Sequence, residues 1–349
     1  MDIFWKVMLI LGTAVMTLFV FFVIYYLIIW TSLNQVFTHR QKRNPNLKYF
    51  EAGDFADLNA DKVELKNYAG ITLRGYLYSL NGESVDTTDL IVFFHGWGMG
   101  HLAYTKEIRT LVLKTHKPVL AIDYQGCDLS DGKKTGGFYH ALIDAEAIVH
   151  FAIRQFSPQT IHLVGHSWGG FVAANLLRVE SFLEVKTVTF ISAPESMAKV
   201  GRAFLKGSAT LERVLNLFAC IRYGKVAKLK TSDSIASSKT PTLFIHGEKD
   251  QVVAYKYSGR LYLNVSQNKD NIRPLVFQNK YHNPYLTEES EAALMTMLYR
   301  QHELKKNKND QLLSSFYSSI DYGLLGNDDM MVFEMIDKLI KEHSNGSKN

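Results

Sequence analysis

Two cysteines in 349 residues, Cys127 and Cys220, are too few for a disulfide framework, and they stand too far apart for a CxxC zinc or redox pair. That poverty fits a reducing compartment. Zinc-finger spacing, an RNP aromatic pattern and any long Lys/Arg run are also missing. With a net charge of only +5, nucleic acid is not an expected partner. No internal repeat is present. Charge is missing altogether from residues 7–30.

Those 24 residues would span about 36 Å as a helix, enough to cross a hydrocarbon core of roughly 30 Å with some tilt. Trp5, Tyr25, Tyr26 and Trp30 lie near the ends, where aromatic rings favour the interface. A cleaved signal peptide would have a shorter apolar core, about 7–15 residues, followed by a small-x-small site. Here Thr31-Ser32-Leu33-Asn34 follows instead. A single-pass membrane anchor over 7–30 is therefore expected, with 31–58 as a polar, irregular tether. Arg40, Lys42 and Arg43 on the C-terminal flank outweigh Lys6 and the terminal amine against Asp2. The positive-inside rule then puts the C-terminal side in the cytoplasm, by a small margin.

Past the tether, strand and helix signals alternate. A hairpin is expected over 62–67 and 71–80. Continuous apolar runs suited to strands buried on both faces follow at 89–94, 119–123, 160–164, 187–192, 242–246 and 274–278. Helical stretches such as 105–114 and 138–155 separate them. This rhythm predicts an α/β fold, a mostly parallel central sheet with helices on both faces. Residues 195–240 break it with an amphipathic helical insert rich in Lys and Arg. The insert is expected to be a small lid. Either its charged faces are solvated, or its apolar face roofs the active site while its basic face meets anionic lipid. A helical extension is expected over 286–349, with Thr287 as N-cap and Glu288 and Glu289 in the first turn. Val332, Phe333, Ile336, Leu339 and Ile340 have the spacing of a packed helix.

The chemistry-bearing signal is Gly165-His166-Ser167-Trp168-Gly169-Gly170, between an apolar strand and a helix. G-x-S-x-G in that context is a nucleophile elbow, a turn so sharp that glycine is needed on both sides of the serine. The helix behind it favours developing negative charge. Its bland counterpart is a tight glycine turn with a solvated serine. A second motif, His95-Gly96-Trp97-Gly98-Met99-Gly100, directly follows a strand. It lacks the Gly-Lys-Ser/Thr ending of a phosphate loop. Backbone N–H groups of Trp168 and Trp97 are the expected oxyanion donors.

This pair of motifs resembles the α/β-hydrolase superfamily, in its serine aminopeptidase and monoacylglycerol lipase-like branch. The stretch 123–132, Asp-Tyr-Gln-Gly-Cys-Asp-Leu-Ser-Asp-Gly, is similar to that branch's D-x-R-G-x-G-x-S-x-G turn, with Gln125 and Asp128 where Arg and Gly are usual. The resemblance covers about 59–285 and implies a Ser, Asp, His order along the chain. His246-Gly247-Glu248-Lys249-Asp250-Gln251-Val252-Val253 is similar to H-G-x-x-D-x-x-V, which selects Asp250 as the acid, with Glu248 as runner-up. His282 stands where the resemblance needs the base, with Tyr281 in place of a frequent glycine. His95 and His246 belong to turn motifs, and His166 is expected to shape the pocket. The implied activity is ester hydrolysis by Ser167, His282 and Asp250, with no metal or organic cofactor required. The implied substrate is a small-molecule ester or lipid, an acylglycerol or lysophospholipid. The same triad could instead cleave amides or peptides or transfer an acyl group, and the fold could serve as an idle binding module.

Overall fold

The structure, a computed structural model, describes residues 2–307 and 310–344. Residues 308–309 and 345–349 of the expected extension lie outside those residues. A long helix opens the chain, α1 (Ile3–Thr38). The sheet then alternates with helices: β1 (Leu58–Lys66), β2 (Thr72–Leu80), β3 (Asp89–Phe94), α2 (Thr105–Thr115), β4 (Val119–Ile122), α3 (His140–Phe156), β5 (Thr160–His166), α4 (Trp168–Val179) and β6 (Val185–Ile191). The insert supplies α5 (Met197–Phe204), α6 (Ala209–Tyr223) and α7 (Thr231–Ser237). After it come β7 (Thr242–Gly247), α8 (Gly259–Ser266), β8 (Ile272–Phe277), α9 (Glu288–Lys306), α10 (Asp310–Ser318) and α11 (Met330–His343).

The eight strands lie in the order β1-β2-β4-β3-β5-β6-β7-β8, with β2 antiparallel to both neighbours and the rest parallel. The apolar runs are continuous because both faces are covered. Helices α3, α4 and α8 bury one face through residues such as Leu142, Phe171 and Tyr262. Helices α2 and α11 bury the other through Ile108, Leu111, Phe333 and Ile336. All five apolar residues of the expected C-terminal helix are buried. Thr287 caps α9, accepting the Ser290 N–H at 3.2 Å.

The tether departs from expectation. Residues 31–38, expected to be irregular, continue α1 as helix. Thr, Ser and Asn are indifferent helix formers, so docking decides the matter. Trp30, Leu33 and Phe37 fall on one face, and the protein takes them in. The Trp30 ring meets Phe218 at 5.9 Å and Tyr223 at 6.5 Å, both on α6. Tyr223 Oη donates to Asn34 Oδ1 at 2.8 Å. Phe37 packs edge-on to Trp97 at 4.9 Å and Phe138 at 5.3 Å. Above Tyr25 the helix is bare: its best 18-residue window has a mean hydropathy of 2.7, and none of it is buried. Below the helix, Arg40 donates to the carbonyls of Asp128, Ser130 and Gly132, and Arg43 pairs with Asp128 at 2.8 Å. Two of the three flanking cations are thus engaged in the fold, and Lys42 stays exposed.

Phe37→Ala is expected to cost about 3–5 kcal/mol, as for other buried aromatic truncations. Denaturant unfolding in detergent measures it. A loss below about 1 kcal/mol would mean that the foot of α1 is not part of the folded unit.

Candidate active site

Strand β5 ends at His166 and α4 begins at Trp168, which leaves Ser167 as the whole connection. Its backbone lies at φ 53, ψ −116, a left-handed conformation for a non-glycine residue. A Cβ on Gly165 would overlap the carbonyl of Gly169, and one on Gly169 would overlap the carbonyl of Phe94. The two glycines are therefore steric necessities of the elbow. Ser167 is 8% exposed, facing the ends of the parallel strands.

Two other loops converge there. His282 follows β8, and its Nε2 lies 3.0 Å from Ser167 Oγ. Its Nδ1 lies 2.8 Å from Asp250 Oδ2. Asp250 is buried in the loop after β7, while Glu248 is exposed. The other Asp250 oxygen, Oδ1, accepts the N–H groups of Val252 and Val253 at 2.9 and 2.8 Å. Burial alone would push this carboxyl up, but His282, followed by hydrogen bonds from His246 and His282, holds it well below the usual range. The structure thus brings Ser167, Asp250 and His282 together and leaves Glu248 apart.

Trp168 opens α4, so its N–H has no partner within the helix. Among the described residues, the Trp97 N–H meets no acceptor either. The two indole rings pack edge to face at 5.1 Å, holding the two loops together.

Sequence reasoning passed over the groups that fix the His282 loop. Glu291, buried in α9, accepts the N–H of Tyr281 at 2.8 Å and of Asn283 at 2.6 Å, one on each carboxylate oxygen. That clamp holds the backbone on both sides of His282, where Tyr281 replaces a frequent glycine. Lys280, also buried, donates to the carbonyls of Pro284 and Leu286 at 2.8 Å each and pairs with Asp329. Among acids in the first turn of α9, nothing local separates Glu291 from Glu288 and Glu289.

A family model described as the alpha/beta hydrolase fold matches residues 89–220. The chain also superposes on the esterase Pf2001 of Pyrococcus furiosus with a TM-score of 0.56, at 20% identity, over 77% of this chain and 98% of that one. The chain has the α/β-hydrolase fold. An alpha-beta hydrolase from Vibrio vulnificus superposes at a TM-score of 0.51, with 20% identity over 72% of this chain and 81% of that one. Human protein ABHD12B is 26% identical over 203 residues, 55% of each chain, so the match spans about half the length of that relative. The superfamily expected from the motifs is the one these likenesses share.

Within the hydrolase fold, a cavity of about 370 Å³ opens beside Ser167 and His282. Its walls correct the expected role of the insert. None of its lining residues comes from 195–240. Instead Tyr49 and Phe50 of the chain after α1 face Met99 of the glycine-rich loop and Leu294, Met297 and Leu298 of α9. Hydrogen bonds tie these walls: Asn44 Nδ2 to Tyr317 Oη at 3.2 Å, the Lys48 N–H to Tyr322 Oη at 2.9 Å. The C-terminal extension and the former tether build the pocket. The insert is turned toward α1, which packs on Phe218 and Tyr223 of α6.

Proposed function

We propose that this chain is a membrane-anchored serine hydrolase that cleaves carboxylic esters with an apolar acyl chain. One observation carries the reading: the Ser167–His282–Asp250 hydrogen-bond chain ends at an apolar cavity. Serine is a weak nucleophile until a base takes its proton, and neutral imidazole suits that near pH 7. His282 Nε2 accepts the Ser167 proton as Oγ attacks the ester carbonyl. Asp250 holds the other nitrogen protonated and stabilises the imidazolium that forms. The N–H groups of Trp97 and Trp168 stabilise the tetrahedral oxyanion. His282 then protonates the leaving alcohol, and water activated by the same imidazole releases the acid. None of these steps calls on a metal or organic cofactor.

Anchoring is supported by the bare apolar length of α1. It is also supported by the exposed face of the insert beside it, where Phe204, Leu217 and Ile221 stand among Lys206, Arg213 and Lys225. A lipid-derived ester delivered from the bilayer suits that placement.

The cavity holds roughly twelve water-sized groups at about 30 Å³ each. The full chain in detergent is expected to hydrolyse p-nitrophenyl esters with kcat/KM rising from acetate to a chain of about ten carbons, by up to about fourfold per methylene. A fluorophosphonate probe is expected to label Ser167. Wild type that resists the probe would sink the hydrolase reading. A preference for acetate would sink the apolar acyl site alone.

A further inference from the structure

The two loops that meet at Ser167 come from distant parts of the chain, and four polar groups join them. The Gly96 N–H donates to Tyr104 Oη at 3.1 Å. Tyr104 Oη lies 2.9 Å from His166 Nδ1. His166 Nε2 lies 3.0 Å from the carbonyl oxygen of His282. Tyr104 stands just ahead of α2, while His166 is the last residue of β5.

A single proton arrangement satisfies every member. A carbonyl can only accept, so His166 Nε2 carries the hydrogen. In a neutral imidazole Nδ1 is then bare and must accept, so the phenol donates to it. The phenol oxygen is left to accept from Gly96. Burial, then the neighbouring His282, holds His166 down to about 3, so the ring stays neutral near pH 7. Burial likewise raises the Tyr104 hydroxyl, which keeps its proton. The fit at Gly96 is close: a Cβ there would stand 2.5 Å from Tyr104 Oη and 3.4 Å from His166 Nδ1.

We infer that Tyr104 and His166 are positioning residues that lock the oxyanion loop to the backbone of the base. The inference rests on the hydrolase reading and adds to it. At one end, the Tyr104 hydroxyl fixes the His95–Gly96 peptide, which adjoins the Gly96–Trp97 peptide whose N–H serves the oxyanion. At the other, His166 holds the His282 carbonyl, and hence the residue whose imidazole faces Ser167. The two halves of the machinery are registered to each other through one phenol and one imidazole, neither of which touches the reacting atoms. Misplacement by fractions of an ångström at either end weakens the transition state more than the ground state.

Tyr104→Phe removes one oxygen and keeps the ring. In the full chain in detergent, kcat for a medium-chain ester is expected to fall about 10- to 100-fold, with KM changed less than about threefold. Affinity for an alkyl boronic acid, which forms a tetrahedral adduct on Ser167, is expected to fall by the same factor as kcat/KM. Adding His166→Gln to Tyr104→Phe is expected to cost no more than about threefold beyond the worse single variant, because both break one chain. Wild-type kcat in Tyr104→Phe, a loss confined to KM, or losses that multiply in the double variant would overturn the inference. If wild type resists a fluorophosphonate, the hydrolase reading falls and this inference with it. If wild type and Tyr104→Phe are labelled at equal rates, this inference alone falls.

Discussion

Ser167→Ala is expected to lower kcat for a medium-chain ester by a factor on the order of 10⁶, the loss typical of removing a serine nucleophile. KM should stay within a few-fold, since the cavity walls are untouched. Ser167→Gly should be equally inactive but more stable than wild type. The backbone at φ 53, ψ −116 lies close to the first central position of a type II′ turn, near +60°, −120°, where glycine is at home. Holding a serine there stores about 1–3 kcal/mol. Glycine releases that strain, and its freer unfolded chain takes back about 0.5–1 kcal/mol. A net gain of about 1 kcal/mol corresponds to a melting temperature higher by roughly 1–2 °C in a chain of this length. Alanine keeps the Cβ and should melt near wild type. An active Ser167→Ala would end the nucleophile assignment. A Ser167→Gly variant that melts lower than wild type would show that the elbow is not strained.

The elbow was legible because its demands are local. A one-residue strand-to-helix connection needs glycine at 165 and 169, and those residues can be read in five letters. The buried, mostly parallel sheet was legible for a similar reason, since apolar runs report burial on both faces. The walls of the cavity were not legible. Tyr49, Met99 and Leu294 are remote in sequence, and no periodicity ties them to one another. The insert misled because an amphipathic helix reports that one face is covered, not by what. Here α1 covers part of it through Trp30 and Leu33, and that part of the apolar density that suggested a pocket roof serves as a seat for α1. The extra turns of α1 were hidden likewise, since Thr31, Ser32 and Asn34 argue against helix until Phe37 finds Trp97.

That last contact links α1 to the proposed site. Phe37 lies against the ring of Trp97, and the same indole packs on Trp168. The foot of α1 thus braces the loop proposed to hold the oxyanion. The bare part of α1 continues a helix whose foot is packed into the same folded unit as the proposed catalytic residues, not into a loose tether.

Asp250→Asn is expected to lower kcat by about 10⁴-fold, through the tautomer of His282. The structure determines which way the new amide must face. Oδ1 of Asp250 accepts two backbone N–H groups, from Val252 and Val253, so the amide oxygen of asparagine must take that place. Its NH₂ then falls where Oδ2 was, 2.8 Å from His282 Nδ1, with His246 Nε2 at 3.3 Å. An amide donor against Nδ1 selects the imidazole that carries its hydrogen on Nε2. That hydrogen points at Ser167 Oγ, and the nitrogen can no longer accept the serine proton. Flipping the amide would restore the tautomer but would set an NH₂ group against two N–H donors. The loss should therefore appear in kcat for short and long esters alike, with Ser167 also labelled far more slowly by a fluorophosphonate. Steady-state kinetics on the two ester lengths measures it. A drop of less than about tenfold would remove Asp250 from the mechanism and return the role to Glu248, which would then have to leave solvent to reach His282.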